Sequence, residues 1–181
     1  MKKIFLLTVW VMMINFTFTQ NKSFKSGELW LDDNGVHINA HGGGFLFQNG
    51  KYYWFGEHKI EGRKGNSAQV GVHCYSSKDL YNWKDEGIAL KVSDDSTSDI
   101  AKGCILERPK VVYNAKTKKY VMWFHLELLH KGYSAARAGV AVSNKVTGPY
   151  QFIKSYRPNA GKLPYYNNAN EDEKDTIPQS V

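Results

Sequence analysis

Gly44-Phe-Leu-Phe-Gln-Asn-Gly-Lys-Tyr-Tyr-Trp-Phe-Gly-Glu57 decides the fold. Two apolar and aromatic runs, 44–48 and 51–57, flank Asn49-Gly50. Both of those central residues tolerate the positive φ of a type I′ turn, so the stretch reads as a β-hairpin. Working outward, residues 69–76 and 83–90 carry the same β-branched and aromatic bias and predict a third and fourth strand. The order then recurs at 109–114, 120–126, 135–143 and 150–156. Lys119-Tyr120 repeats Lys51-Tyr52, and Gly139-Val140 repeats Gly71-Val72, both at a spacing of 68 (119 − 51 and 139 − 71). One spacing is therefore read for both strands. No long amphipathic helix interrupts the pattern.

Four strands per unit, repeated, predicts an all-β chain built of β-propeller blades, since each sheet can bury its faces only against its neighbours. A β-sandwich is the competing reading, because evenly spaced strands suit it as well. Closed propellers use about 4 to 8 blades and the repeat accounts for two, so the chain is expected to be an incomplete piece of a longer protein or of a split reading frame. A disordered natural tail is the other reading of its last residues. The expected division is a signal peptide over 1–19, the blades over 20–157, and an irregular tail or truncated third-blade connection over 158–181. That last stretch holds Pro158, Pro164 and the acidic run Glu171-Asp-Glu-Lys-Asp175.

Lys2, Lys3, the apolar stretch 4–14 and the small residues near Thr17 to Gln20 form an export signal, too short for the roughly 20 residues of a spanning helix. Its removal takes the formal charge from +7 to +5, as Lys2 and Lys3 leave. The expected location is secreted or periplasmic, with no membrane association afterwards. The basic excess is interspersed with acids and forms no block, which argues against nucleic acid. Aromatic residues make up 14% of the chain; their ring faces and polar edges suit sugars, although β cores use them too. Cys74 and Cys104 read as two buried thiols, with a disulfide as the alternative.

With strands A to D counted outward from a central channel, the start of A, the end of B and the start of C share one rim. In the first unit that rim collects His41, Glu57 and His58. In the second it collects Glu107, Arg108, His125, Glu127 and Tyr133. Pro109 lacks an N–H and is expected at a strand start, fixing Glu107 near the channel mouth. Glu107 reads as functional or as half of an ion pair, and Glu57 is open in the same way. The glycines after His41 permit close approach of a ligand or a neighbouring strand. His37 and His41 have HxxxH spacing, yet no helix and no following Glu, so no metal site is expected and no cofactor is implied. Phosphate loops, serine elbows and CxxC pairs are absent from the sequence.

Five segments taken together resemble glycoside hydrolase family 43, closest to its galactan-active branch, over about residues 27–163. They are Ile38-Asn-Ala-His-Gly-Gly-Gly44, Tyr53-Trp-Phe-Gly-Glu57, Leu106-Glu-Arg-Pro-Lys-Val111, Ala138-Gly-Val-Ala-Val-Ser143 with Thr147-Gly-Pro-Tyr150, and Ser155-Tyr-Arg-Pro-Asn-Ala-Gly161. The resemblance implies a five-bladed propeller that hydrolyses glycosidic bonds with inversion. It implies that a polysaccharide or oligosaccharide, galactose-containing as in exo-β-1,3-galactanases, is the partner. His41 stands where most members carry a basic Asp, a departure this branch shares, and Glu57, Glu107 and Tyr133 match sugar-contacting positions. The tuning Asp and the acid Glu of the family would lie beyond residue 181, so no catalytic role is transferred. His41, Glu57, Glu107, His125 and Tyr133 are the expected substrate-binding residues. The competing functional readings are a non-catalytic carbohydrate-binding propeller protein, and Glu57 with Glu107 as an acid–base pair.

Overall fold

A computed structural model describes residues 20–64, 66–67 and 70–158. The expected signal peptide and all but Pro158 of the expected tail lie outside them. Eight strands form two four-stranded antiparallel sheets, each a simple meander. The first holds β1 (His41–Gln48), β2 (Lys51–His58), β3 (Gly71–Ser77) and β4 (Lys84–Lys91). The second holds β5 (Ile105–Asn114), β6 (Lys119–Glu127), β7 (Arg137–Ser143) and β8 (Gln151–Tyr156). Among the described residues no helix is long and apolar enough to cross a membrane.

Local chemistry sets the hairpins. Asn49 and Gly50 both take positive φ, 51° and 74°, as the type I′ turn requires. The corresponding turn of the second sheet is two residues longer, since Asn114 pairs with Lys119 where Gln48 pairs with Lys51.

The two sheets face each other across one apolar core. Phe55, Val72, Cys74 and Leu90 come from the first, and Leu106, Met122, Phe124 and Leu126 from the second. Side chains of this size each contribute about 1.5–3 kcal/mol when fully buried. Tyr150 plugs the seam: its N–H bonds Ala89 O at 2.6 Å, its hydroxyl donates to Val146 O at 2.9 Å, and its ring meets Phe55 edge-on. On the far face of the first sheet, Trp30 and Ile38 from the preceding segment pack against Tyr75 and Trp83.

Three expectations need correction. Pro109 is not at a strand start; it lies inside β5, where a bulge between Glu107 and Lys110 removes it from the ladder and its missing N–H costs nothing. Tyr133 does not begin strand C but sits in a 3₁₀ turn, Tyr133–Ala135, ahead of β7. The spacing of 68 holds for β2 and β6 only. Glu57 pairs with Val72 and His125 with Ala138, so β7 repeats β3 at 66 (138 − 72), and Gly139 answers to His73, not Gly71. The two residues gained in the second sheet's first turn are lost again in its shorter β6–β7 connection.

Candidate functional site

In the first sheet, the rim is shaped by a bulge between His41 and Gly44 that leaves His41 opposite Glu57. His41 Nδ1 lies 3.3 Å from Glu57 Oε2. A carboxylate only accepts, so Nδ1 is the donor, and in the neutral ring Nε2 is then the acceptor. Lys59 Nζ reaches the same oxygen at 3.4 Å. The Glu57 side chain is 5% accessible and that of His41 66%, so the acid is buried behind an imidazole that faces outward. Gly42 has φ 58°, and a Cβ there would stand 2.6 Å from Glu57 Oε1, which explains the glycine. Gly44 is kept small by the second sheet: its Cβ would fall 2.7 Å from Pro109 O.

In the second sheet, Glu107 is opposite His125 and the bulge passes through Arg108 and Pro109. Arg108 takes the left-handed conformation, φ 54°, uncommon for a residue other than glycine. Its N–H is thereby turned away from β6 and donates to Glu57 Oε1 at 3.2 Å. Lys110 Nζ adds a bond of 3.1 Å to Gly43 O. His125 Nε2 donates to Glu127 Oε1 at 3.2 Å, and the ring lies 5.5 Å from that of Tyr133. Arg157 holds the Tyr133 turn through Ser134 O, 2.6 Å away, and Tyr133 remains 56% exposed.

His41 and Glu57 are thus joined to the backbone beside Glu107 through the Arg108 N–H, while His125 lies opposite Glu107 in the register of the second sheet and Tyr133 adjoins His125. Sequence reasoning left three members of this network out of the expected binding set: Lys59, Arg108 and Glu127. Alignment by register relates them. Glu107 answers to His41 (spacing 66), His125 to Glu57 and Glu127 to Lys59 (both 68). The order base, acid, base at one rim is therefore acid, base, acid at the next.

A second polar cluster lies on the far face of the first sheet. His58 Nδ1 and His73 Nδ1 are 3.0 Å apart in rings tilted by only 16°, and His73 Nε2 is 2.6 Å from Asp85 Oδ1. Burial, and then His73, depress the His58 pKa below the usual imidazole value. Burial opposes the Asp85 carboxylate, but the His73 ring and the Gly87 N–H outweigh it and hold Asp85 below the usual range. Among the described residues no three His, Cys, Asp or Glu side chains are placed to hold a metal ion. On the same far face, a cleft of about 460 Å³ is lined by aromatic and aliphatic side chains including Phe24, Trp30, Phe45 and Trp83.

No protein-family profile and no curated protein sequence matches the chain. Solved structures do. A family 43 β-1,3-galactosidase with galactodeoxynojirimycin superimposes at a TM-score of 0.75 and 58% identity, over 81% of this chain and 42% of its own. The chain belongs to glycoside hydrolase family 43. An exo-β-1,3-galactanase from Phanerochaete chrysosporium with β-1,3-galactotriose gives a TM-score of 0.66 at 39% identity, over 73% of this family 43 chain and 29% of its own. The exo-β-1,3-galactanase from Clostridium thermocellum gives 0.64 at 40%, over 77% and 29%. The family 43 chain described here thus spans less than half the length of these relatives, and its two sheets are propeller blades.

Proposed function

We propose that this chain supplies part of the sugar-binding rim of a glycoside hydrolase acting on galactose-containing polysaccharide, as an exo-β-1,3-galactanase or a β-galactosidase-like enzyme. The observation that carries the reading is that Glu57 joins His41 on one blade to the Arg108 N–H, next to Glu107, on the other, in a chain 58% identical to a β-1,3-galactosidase over 81% of its length. His41 offers an outward acceptor, Glu107 a carboxylate, and Tyr133 an exposed phenol. Together these groups suit the hydroxyls and ring face of one terminal sugar. The amino-terminal stretch supports export, so the expected workplace is outside the cytoplasm and the expected partner an oligosaccharide.

A protein of the relatives' length carrying this chain is expected to release galactose from β-1,3-galactan. Glu107→Gln in that protein should lower turnover at least tenfold; unchanged kinetics would remove Glu107 from the site.

One observation favours a second reading, sugar binding without chemistry by this chain itself. Glu57 is buried, accepts from His41 and the Arg108 N–H and forms an ion pair with Lys59, so it is poorly placed to exchange protons with a substrate, and an inverting mechanism needs two such groups. Galactose oligomers bound with no product released would support that reading.

A further inference from the structure

We infer that Glu57 is a positioning residue: a buried carboxylate that fixes the separation and orientation of His41 and Glu107, the two rim residues occupying equivalent places in successive blades. The inference rests on the proposal that this rim binds sugar, and it assigns Glu57 a task other than direct contact.

The geometry is specific. The peptide plane between Glu107 and Arg108 carries the N–H that Glu57 Oε1 accepts at 3.2 Å. Holding that plane sets ψ of Glu107 and the left-handed φ of Arg108, 54°. Neither bulge residue is available to β6, since Arg108 points its N–H elsewhere and Pro109 has none, so Glu57 is the acceptor that closes this part of β5. The other oxygen, Oε2, receives His41 Nδ1 at 3.3 Å and Lys59 Nζ at 3.4 Å. One carboxylate therefore sets the Glu107 backbone on one blade and the His41 tautomer on the other.

Among the described residues, the second blade does not repeat the device. The residue answering to Glu57 in the second blade is His125, which has no pair of acceptor oxygens, and the residue answering to Arg108 in the first blade is Gly42. A glycine takes a left-handed φ freely, whereas the arginine needs something to hold it there.

The test uses the full chain labelled with ¹⁵N, with D-galactose as the probe. In Glu57→Ala the Arg108 amide should exchange with solvent at least tenfold faster, and the His41 ring should lose its fixed Nδ1–H tautomer. In Glu57→Gln one oxygen remains for the Arg108 N–H, so its protection should largely return. The new NH₂ would now face His41 Nδ1 and turn it into an acceptor, moving the proton to Nε2. A merely structural role would leave the His41 tautomer alone in Glu57→Gln. Rescue of the Arg108 amide together with the tautomer change supports the inference. An Arg108 amide equally protected in wild type and Glu57→Ala overturns it. Should the wild-type chain show both signatures and yet leave galactose unbound, the sugar-binding reading fails while the positioning by Glu57 stands.

Discussion

Trp123 occupies in the second blade the place that Phe55 occupies in the first, yet Phe55 is fully buried and Trp123 is 40% exposed. The two lie 68 residues apart in equivalent strands and point the same way around the repeat. Phe55 is covered because the second blade lies on it.

That difference predicts unequal costs. Phe55→Ala should destabilise the chain by about 3–5 kcal/mol, the range for removing a large buried ring. Trp123→Ala should cost about 1 kcal/mol, since much of the ring is already in water. Urea unfolding of the two variants measures both, and equal losses would contradict the face-to-face packing.

Gly139 makes the matching case for space. A Cβ there would lie 2.2 Å from the Phe124 ring, whereas one at Gly132 would meet nothing within 4 Å. Gly139→Ala should cost about 1–3 kcal/mol through overpacking. Gly132→Ala, with φ 72°, should cost only the strain of a left-handed residue, about 1 kcal/mol. Adding Phe124→Leu should recover part of the first loss and none of the second.

The facing rings of His58 and His73 predict acid sensitivity. Two Nδ1 atoms 3.0 Å apart can hydrogen-bond only while one of them carries no proton, so protonating both breaks the contact. The His58 pKa is lower in the folded state than in the unfolded chain, so the unfolded chain binds more protons as the pH drops. The stability involved is whole above about pH 6.5, the ordinary histidine value, and is lost as pH falls through that value toward the depressed one. Asp85, also depressed, adds a loss in the same direction below about pH 4, the ordinary carboxylate range. The thermal midpoint should therefore fall between pH 7.5 and pH 5.5, and His58→Gln should flatten that fall. An identical fall in the variant would rule the pair out.

Cys74 and Cys104 are free and buried, as the sequence suggests. Burial pushes the Cys104 thiol up to about 12 and Cys74 further still, so neither forms a thiolate near neutrality. The native chain should leave both unreacted with a disulfide reagent at pH 8 and release both in denaturant. Rapid reaction of the native protein would show the core to be open.

The strands were legible because each is bounded by a strong signal, Asn49-Gly50 above all, and because apolar faces repeat along them. Their register was less so. A repeat in sequence counts residues, and two compensating length changes in loops let Gly71 and Gly139 match by eye while the hydrogen-bonded ladders align His73 with Gly139. The same slip hid the reversal of charge between the rims, which shows only when Glu107 is placed on His41. Residue types at the rim were readable, but their roles were not. Nothing local marks Arg108 as left-handed or Glu57 as its acceptor, since that bond joins residues 51 apart and exists only once the blades pack. Tyr133 was readable as a rim residue but not as part of a turn, because the strand pattern before β7 is continuous in sequence.

The most direct test of the central claim, that the junction of the two blades forms the sugar site, is to map D-galactose binding on the ¹⁵N-labelled chain residue by residue. The perturbed signals should cluster at His41, Glu107, His125 and Tyr133 and disappear in Glu107→Gln. Perturbations gathered instead at the aromatic cleft of Phe24, Trp30 and Phe45, with the junction silent, would contradict it.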